Sequence, residues 1–132
     1  MAIKVNIYRM DRKKIGLPKY NKQGEPTMDI QCFIPEEIRL HPTQTMRIPT
    51  GLYVGIPEGY HMELKAKYGL ALKGLHVVDG IISSNHKDEI SVVVFNAAAN
   101  DIVIKPEQLI AQLVLKKTEE FEWAECKTAD EL

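Results

Sequence analysis

Side chains that can bind metals or act as nucleophiles are present in this sequence, but their spacing matches no general motif for either chemistry. The four histidines are His41, His61, His76 and His86, too scattered for a metal-ligand set. Ser83 and Ser84 lack the flanking glycines of a nucleophile elbow. The segment Gly69–Gly74 has glycines and a lysine but not the Lys-Ser/Thr ending of a phosphate-binding loop. General motifs therefore assign no activity to the chain.

The elements that would position these side chains are short strands, because apolar and polar residues alternate with a period of two. The clearest alternating run is Tyr60–Lys67, and Ile3–Ile7 and Leu52–Ile56 alternate in the same way. Ile90–Phe95 is rich in β-branched residues, which predicts a strand buried on both faces. Glycine and proline clusters separate the runs. The sequence thus predicts an all-β barrel or sandwich, jelly-roll-like in outline, of about ten short strands.

Few segments could form helices. Pro35–Arg39 could make one turn, and Pro106–Ile110 could open either a short helix or a turn into a strand. Internal repeats, linkers and low-complexity stretches are not evident in the sequence.

Length and composition describe one globular domain spanning residues 1–132. Hydrophobic residues make up 45% and charged residues 27% of the chain, which excludes disorder and fibres. The net charge of −1 argues against nucleic-acid binding, and no apolar run approaches the ~20 residues of a membrane span.

An apolar signal-peptide segment is not evident, so we expect a cytoplasmic protein. Its cysteines, Cys32 and Cys126, are expected to be reduced and buried rather than joined in a disulfide.

The two ends of the chain carry opposite charge. Residues 1–23 contain seven Lys or Arg and one Asp, whereas residues 118–132 contain six Asp or Glu and one Lys. The ends are either separate solvated segments or a pair that meets within a chain or between subunits. Phe121 and Trp123 alternate with polar residues in Thr118–Cys126, which predicts a last strand with both rings buried before an acidic tail.

Four further segments, taken in chain order, form a distinctive sequence pattern. They are Leu17–Ile30, Lys67–Lys73, Gly80–Ile90 and Pro106–Leu113. They resemble the first four motifs of the trimeric dUTPase family, the deoxyuridine triphosphate nucleotidohydrolases. The second segment is similar to Arg-Ser-Gly-Leu-Ala and the third to Gly-Val-Ile-Asp-x-Asp-Tyr-x-Gly-Glu-Ile. The resemblance covers most of the chain, from about residue 17 to residue 117.

This resemblance implies a β-rich jelly-roll-like domain that forms a threefold homotrimer and hydrolyses dUTP to dUMP and pyrophosphate with Mg²⁺. Asp29 occupies the position of an acidic residue that organises the metal through its waters. The backbone at Gly80 and the two following residues would recognise uracil. The positions that the resemblance assigns to nucleotide binding are Lys67, Tyr68, Gly69, Gly80, Ile81, Ile82, His86 and Gln112.

Several residues depart from the family pattern. Ser83 stands where the family has the aspartate that orients the attacking water, and a neutral hydroxyl cannot accept that proton as a carboxylate can. His86 replaces a tyrosine that packs under the deoxyribose and disfavours ribose. Tyr68 replaces a phosphate-binding serine, and Lys67 replaces an arginine and loses its planar fork. The fifth motif, a Gly-rich arm with an arginine and a phenylalanine, has no counterpart in Glu122–Leu132.

Another carboxylate of the third segment could substitute for the missing base. Asp79 precedes Ser83 by four residues, and Asp88 follows it by five. Asp79 would need a shifted alignment, and Asp88 falls where the family has a turn glycine. A carboxylate several residues along a strand lies ~10 Å or more from the original position. The residues therefore favour loss of the base over its relocation.

Three hypotheses follow from these residues. The first, which the departures favour, is a dUTPase-fold protein of viral or phage origin with lost or strongly impaired hydrolysis, acting through nucleotide or host-protein binding in the cytoplasm. The second is an active, divergent, Mg²⁺-dependent dUTP diphosphatase that uses a relocated base. The third is a non-catalytic trimeric adaptor. Mg²⁺ is expected only where nucleotide binds.

Overall fold

Strands account for nearly all of the regular structure in the computed structural model, which describes residues 2–132. In chain order the strands are β1 Asn6–Arg9, β2 Thr27–Gln31, β3 Ile38–Leu40, β4 Thr45–Gly55, β5 Tyr60–Ala66, β6 Leu75–Asp79, β7 Ile81–Ile82, β8 Ile90–Asn96, β9 Ile102–Ile104 and β10 Leu109–Lys117. A short helix, α1 (Tyr68–Leu72), follows β5, and a 3-10 turn occupies Ala129–Glu131. The predicted all-β class is confirmed.

The strands form two four-stranded antiparallel sheets and one two-stranded ribbon. The first sheet has the order β1-β4-β8-β6, the second has the order β2-β10-β5-β7, and the ribbon is β3-β9. Both large sheets contribute to one hydrophobic core, with Ile48 and Val92 buried from the first and Ile30 and Leu64 from the second. The core therefore lies between the two sheets, as in a sandwich.

The second sheet carries polar residues on its outer face. Met62 and Leu64 of β5 point into the core, so the alternate residue Lys65 faces outward. The register of β10 places Gln112 opposite Asp29 of β2 on one side and opposite Lys65 on the other. Strand pairing thus puts a carboxylate, an amide and an ammonium group in one row across three strands.

Strand β8 differs from the prediction of a strand buried on both faces. Ile90, Val92 and Val94 are buried, whereas Ser91 and Val93 between them are only half-buried. The prediction was wrong for the second face because the core covers only one side of the first sheet. The alternate residues of β8 therefore stay partly accessible.

The two segments considered for helices contain none. Residues 35 and 36 form a bend shortly before β3, and Pro106 and Glu107 form a turn into β10, which was one of the two alternatives. Helix α1 was not predicted, because five residues are too few to show a helical period.

The tail contradicts the predicted last strand. Strand β10 ends at Lys117, and residues 118–126 belong to no strand of the described chain. Phe121 and Trp123 are 78% and 88% exposed, and their rings pack edge to face at 5.2 Å. The prediction failed for the single chain because extended backbone forms a strand only beside a second strand, and residues 2–132 place none there.

The cysteines are free, as predicted, but only one is buried. Cys32 lies in the core, whereas Cys126 lies on the exposed tail, so the prediction of a buried Cys126 was wrong. No helix among residues 2–132 is long and apolar enough to cross a membrane.

Candidate functional site

Asp29 is the centre of a polar cluster on the outer face of the second sheet. Its Oδ2 accepts hydrogen bonds from Nζ of Lys67 at 3.0 Å and from Nδ2 of Asn21 at 3.1 Å. Its Oδ1 accepts a longer bond, 3.4 Å, from Nε2 of Gln112. Only 9% of Asp29 is exposed, so its neighbours hold the carboxylate in place. We call these four residues the Asp29 cluster.

Strand ends and one turn bring these residues together. Lys67 directly follows β5 and precedes α1, which places its side chain beside β10 and β2. The chain reverses between Tyr20 and Met28, which form an isolated β-bridge, and this reversal brings Asn21 to Asp29. Sequence reasoning missed Asn21, whose only signal was an amide in a turn-forming stretch of the first segment.

The surroundings of Asp29 keep it ionised. Burial alone would raise the pKa of this carboxyl, because burial disfavours the charged form. Hydrogen bonds from Asn21 and Lys67, with the positive charge of Lys67, outweigh burial and hold the pKa of Asp29 below its ordinary value. The side chain of Lys67 is 29% exposed, so this ammonium group also remains accessible to an anion.

Tyr68 and Gly69 begin α1 immediately after Lys67. Tyr68 is 77% exposed, so its phenol lies mostly in solvent. A Cβ atom on Gly69 would meet no atom within 4 Å among the described residues, so a lone chain does not require glycine there. The exposed start of α1 leaves its backbone accessible beside the Asp29 cluster.

A second group of candidate residues lies on the hairpin between β6 and β8. Strand β7 (Ile81–Ile82) pairs with β5, and Gly80 immediately precedes it at a close crossing of two backbones. The carbonyl of Gly80 accepts a hydrogen bond from the backbone N–H of Leu64 at 2.6 Å. A Cβ atom at residue 80 would lie 2.5 Å from the carbonyl oxygen of Leu64, so only glycine fits.

A turn and a groove follow β7. The turn runs from Ser83 to His86 and is closed by a hydrogen bond from the backbone N–H of His86 to the carbonyl of Ser83 at 3.1 Å. Ser83 is exposed. The adjoining cavity, which we call the hairpin groove, has a volume of about 240 Å³. Its lining includes Leu64, Asp79, Ile81, Ile82, His86 and Asp88. The Nε2 atom of His86 is buried and has no hydrogen-bond partner within residues 2–132.

A separate ion cluster occupies the outer face near the start of β5. Glu63 lies within 3.1 Å of both His61 Nε2 and Lys65 Nζ, and within 3.3 Å of Lys116 Nζ. Hydrogen bonds from His61, then from the two lysines, lower the pKa of Glu63 to about 2. Lys65 is therefore engaged by Glu63, while Lys67 pairs with Asp29.

The Asp29 cluster and the hairpin groove lie apart within one chain. Three strand spacings separate β2 from β7 in the second sheet, which is about 14 Å at ~4.8 Å per step. The Asp29 cluster contains Asp29, Lys67 and Gln112. The hairpin groove is lined by Ile81, Ile82, His86 and Asp79, next to Gly80. A lone chain therefore does not gather all the predicted positions around one point.

Sequence comparison gives one family. Residues 13–132 match the family described as dUTPase. The chain is 35% identical over 130 residues to the deoxyuridine 5′-triphosphate nucleotidohydrolase of Fusobacterium nucleatum, covering 96% of this chain and 89% of the relative. It is 40% identical over 102 residues to the protein of that name from Chlamydia pneumoniae, covering 75% and 70%.

Solved structures show the same fold. A dUTPase from phage phi11 of Staphylococcus aureus aligns with a TM-score of 0.81 at 18% identity, covering 96% of this chain and 98% of the phage chain. The dUTPase of Staphylococcus bacteriophage 80alpha aligns with a TM-score of 0.81 at 19% identity, covering 95% and 97%. Fold and sequence thus define a dUTPase-like jelly-roll class of protein. This chain belongs to the dUTPase family.

Proposed function

We propose that this protein binds dUTP together with Mg²⁺ and hydrolyses it to dUMP and pyrophosphate far more slowly than an ordinary member of its family. The observation that carries the proposal is the exposed Ser83 in the hairpin turn, at the position where the family pattern has a carboxylate. The Asp29 cluster and the hairpin groove both form, which supports binding. The impairment therefore lies in the chemical step.

Lys67 and Gln112 would hold the phosphates. The ammonium of Lys67 has three N–H donors and is 3.0 Å from Asp29, so it can bind a phosphate oxygen while keeping this partner. A lysine meets phosphate as a point charge and lacks the two-pronged geometry of arginine. We therefore expect weaker orientation of the phosphate chain, in addition to the missing base.

The hairpin groove would hold the uncharged end of the nucleotide. Leu64, Ile81 and Ile82 give it an apolar lining that suits a flat base. The charged side chains of the lining are Asp79, Asp88 and Glu89 against Arg47, so negative groups outnumber the single cation and disfavour phosphate there. Charge therefore orients the ligand with its base in the groove and its phosphates toward the Asp29 cluster.

Mg²⁺ fits the Asp29 cluster only as part of a nucleotide complex. No group of three His, Cys, Asp or Glu side chains within residues 2–132 could hold a metal ion by itself. Sites for Mg²⁺ with triphosphates typically use one or two carboxylates together with phosphate oxygens and waters. Asp29 would hold the ion through a water molecule. The bound ion would offset negative charge on the phosphates during hydrolysis.

Hydrolysis of dUTP needs a group that takes a proton from the attacking water. The hydroxyl of Ser83 is neutral near pH 7, so it can hydrogen-bond a water but cannot retain its proton. Losing a positioned base costs roughly 10²–10⁴ in rate. Binding and electrostatic stabilisation remain, which is why we propose slow rather than absent hydrolysis.

An active enzyme with a relocated base is the second candidate, and one observation favours it. Asp79 and Asp88 are exposed carboxylates on the lining of the hairpin groove, close to the proposed base-binding surface. The two relatives of this chain that are named nucleotidohydrolases, at 35% and 40% identity, are as compatible with an active protein as with an impaired one. The two candidates differ in whether Asp79 acts as the base.

Pyrophosphate release from dUTP with Mg²⁺ separates the candidates. If Asp79 is the base, Asp79→Asn lowers the rate at least tenfold. If the proposal is correct, Asp79→Asn stays within twofold of the unmodified protein, and Ser83→Asp raises the rate. We expect Ser83→Asp to remain more than tenfold below an active relative, because Lys67 still lacks the arginine fork.

We also propose a homotrimer, in which neighbouring subunits complete the site. Strands β1 and β2 are edge strands of the two sheets. An apolar groove of about 290 Å³ lies beside them, lined by Ile7, Met28 and Leu115 among other residues. The exposed rings of the acidic tail could fill this groove on a neighbour, whose N-terminal segment is basic. Threefold closure would place one chain's hairpin groove beside another chain's Asp29 cluster.

A role through a partner protein is the remaining alternative. Staphylococcal phage dUTPases of the same fold are described as controlling the transfer of virulence genes, which supports considering a host partner or an adaptor role here. Failure of the protein to bind either dUTP or dUMP would favour this alternative. A viral or phage source and a cytoplasmic location stay predictions.

A further inference from the structure

Asp29 receives hydrogen bonds from both sides of β2. Gln112 lies on β10 and Lys67 lies beyond it at the end of β5, so both reach the carboxylate from the β10 side. Asn21 reaches it from the other side, because the chain before β2 forms its isolated β-bridge along the free edge of this strand. A carboxylate only accepts hydrogen bonds, so the amide must present its nitrogen to Asp29. Asn21 is therefore placed to balance the other two donors.

The three hydrogen bonds are unequal, which makes the one from Asn21 important. Oδ2 accepts the two short bonds, from Lys67 at 3.0 Å and from Asn21 at 3.1 Å, whereas Oδ1 accepts only the 3.4 Å bond from Gln112. Without Asn21, one short bond would remain, and the Cβ–Cγ torsion of an aspartate is soft. A rotated carboxylate would carry the ammonium of Lys67 with it, because the lysine side chain is flexible. Asn21 thus fixes the directions of both charged groups.

We propose that Asn21 is a positioning residue that orients Asp29 and, through it, holds the ammonium of Lys67 where it can meet a phosphate. A guanidinium at position 67 would donate two parallel N–H bonds to the carboxylate and fix its plane without help. The single ammonium of a lysine cannot do this, and Asn21 supplies the second short bond instead. The part of this inference that concerns phosphate rests on the proposed function.

Loss of Asn21 should disturb this orientation more than it disturbs folding. Asn21 is exposed, and it lines a cavity of about 290 Å³ together with Asp29. Water can enter such a space and donate a hydrogen bond to the carboxylate in place of the amide. A mobile water would keep Asp29 solvated but would not fix its direction.

Calorimetric titration of the full chain with the Mg²⁺ complex of the non-hydrolysable α,β-imido analogue of dUTP tests the proposal. Asn21→Ala should weaken binding at least fivefold in the unmodified background, but less than twofold when it is added to Lys67→Arg. Asn100→Ala is the matched control, because Asn100 is an exposed asparagine between β8 and β9, outside the Asp29 cluster. This control should leave the affinity within twofold, and the melting temperature should change by less than about 4 °C in Asn21→Ala.

The ammonium resonance of Lys67 in ¹H–¹⁵N spectra gives a second readout that needs no nucleotide. We expect a resolved cross-peak in the unmodified protein and in Asn100→Ala. Asn21→Ala should lose this cross-peak, because a less ordered ammonium exchanges its protons with water faster.

Three results would overturn the inference. They are an affinity of Asn21→Ala within twofold of the unmodified protein, an equal loss of affinity in the lysine and arginine backgrounds, and a larger fall in melting temperature that would give Asn21 a role in folding. If the unmodified protein does not bind the analogue, the proposed function fails and the Lys67 cross-peak alone decides the inference. Its loss in Asn21→Ala then supports the positioning role, whereas a cross-peak that persists there, or that is absent from the unmodified protein, overturns it.

Discussion

The ammonium of Lys67 lies 3.0 Å from Oδ2 of Asp29, and this ion pair joins the end of β5 to the middle of β2 across β10. Both groups are shielded, with side-chain exposures of 29% and 7%. The pair positions the cation that we expect to bind phosphate. It therefore links the stability of the second sheet to ligand binding.

Replacing Lys67 is expected to affect both properties. Lys67→Ala leaves Asp29 charged without its cation, so the free energy of unfolding should fall by about 1–3 kcal/mol. Affinity for the α,β-imido analogue of dUTP should fall at least tenfold. Lys65→Ala is the matched control, because Lys65 pairs with Glu63 at the more exposed ion cluster. It should change the stability by less than about 1 kcal/mol, and an equal loss in the two variants would contradict the role given to Lys67.

The pH dependence of stability should reveal the ionised state of Asp29. Its pKa is lower in the folded protein than in the unfolded chain, so the charged form stabilises the fold. This stabilisation is complete above the unfolded pKa of about 3.9 and is lost as the pH falls through the folded pKa. Urea titrations should therefore show the largest stability difference between the unmodified protein and Asp29→Asn near neutral pH. A difference that grows with acidification would contradict the assignment.

Two glycines make a paired test of the hairpin. Gly80→Ala places a Cβ 2.5 Å from the carbonyl oxygen of Leu64, so we expect thermal or urea denaturation to show a loss of about 1–3 kcal/mol. Gly69→Ala meets no atom within 4 Å and should leave stability unchanged or raise it by up to about 1 kcal/mol, since alanine favours helix. Similar losses of stability in the two variants would show that the close backbone contact at residue 80 does not determine the conformation of the hairpin.

Sequence alternation predicted β4, β5 and β8 well, matched β1 only at its start, and failed in the C-terminal tail, where residues 2–132 provide no neighbouring strand. Leu52–Ile56 and Tyr60–Lys67 fall largely within β4 and β5, because their apolar residues alternate toward a core within the same chain. Phe121 and Trp123 alternate with polar residues in the same way, yet the single chain offers them no neighbouring strand. The alternation of apolar and polar residues shows which face of a strand can be buried, but it does not show which neighbouring element covers that face.

The candidate site was predictable where residues match a distinctive pattern and not where a turn decides the contact. Asp29, Lys67 and Gln112, from three separate segments, do come together. Asn21 was missed because its contact with Asp29 depends on the reversal between Tyr20 and Met28. The reversal itself has a local signal, because Gly24 has a positive φ and the N–H of Glu25 bonds to the carbonyl of Lys22, but the side chain that it brings to Asp29 has none.

The exposed tail gives a test of assembly, because Trp123 is the sole tryptophan of the sequence. Light scattering at micromolar concentration should give a mass near three times 15.0 kDa. Tryptophan emission should be blue-shifted, as for a buried ring, and the double substitution Phe121→Ala with Leu115→Ser should weaken the trimer while retaining the fluorophore. A mass near 15 kDa together with emission typical of a solvated tryptophan would rule the trimer out.

The rate of pyrophosphate release from dUTP with Mg²⁺ tests the central claim most directly. The protein should be measured beside its Fusobacterium nucleatum relative, which is 35% identical over 130 residues. Because we propose that Ser83, a neutral hydroxyl, stands at the position of the family's base, we expect a rate at least a hundredfold below that of an active enzyme, at saturating dUTP. A turnover near the ~10 s⁻¹ that is typical of enzymes would contradict the account and point to Asp79 as the base.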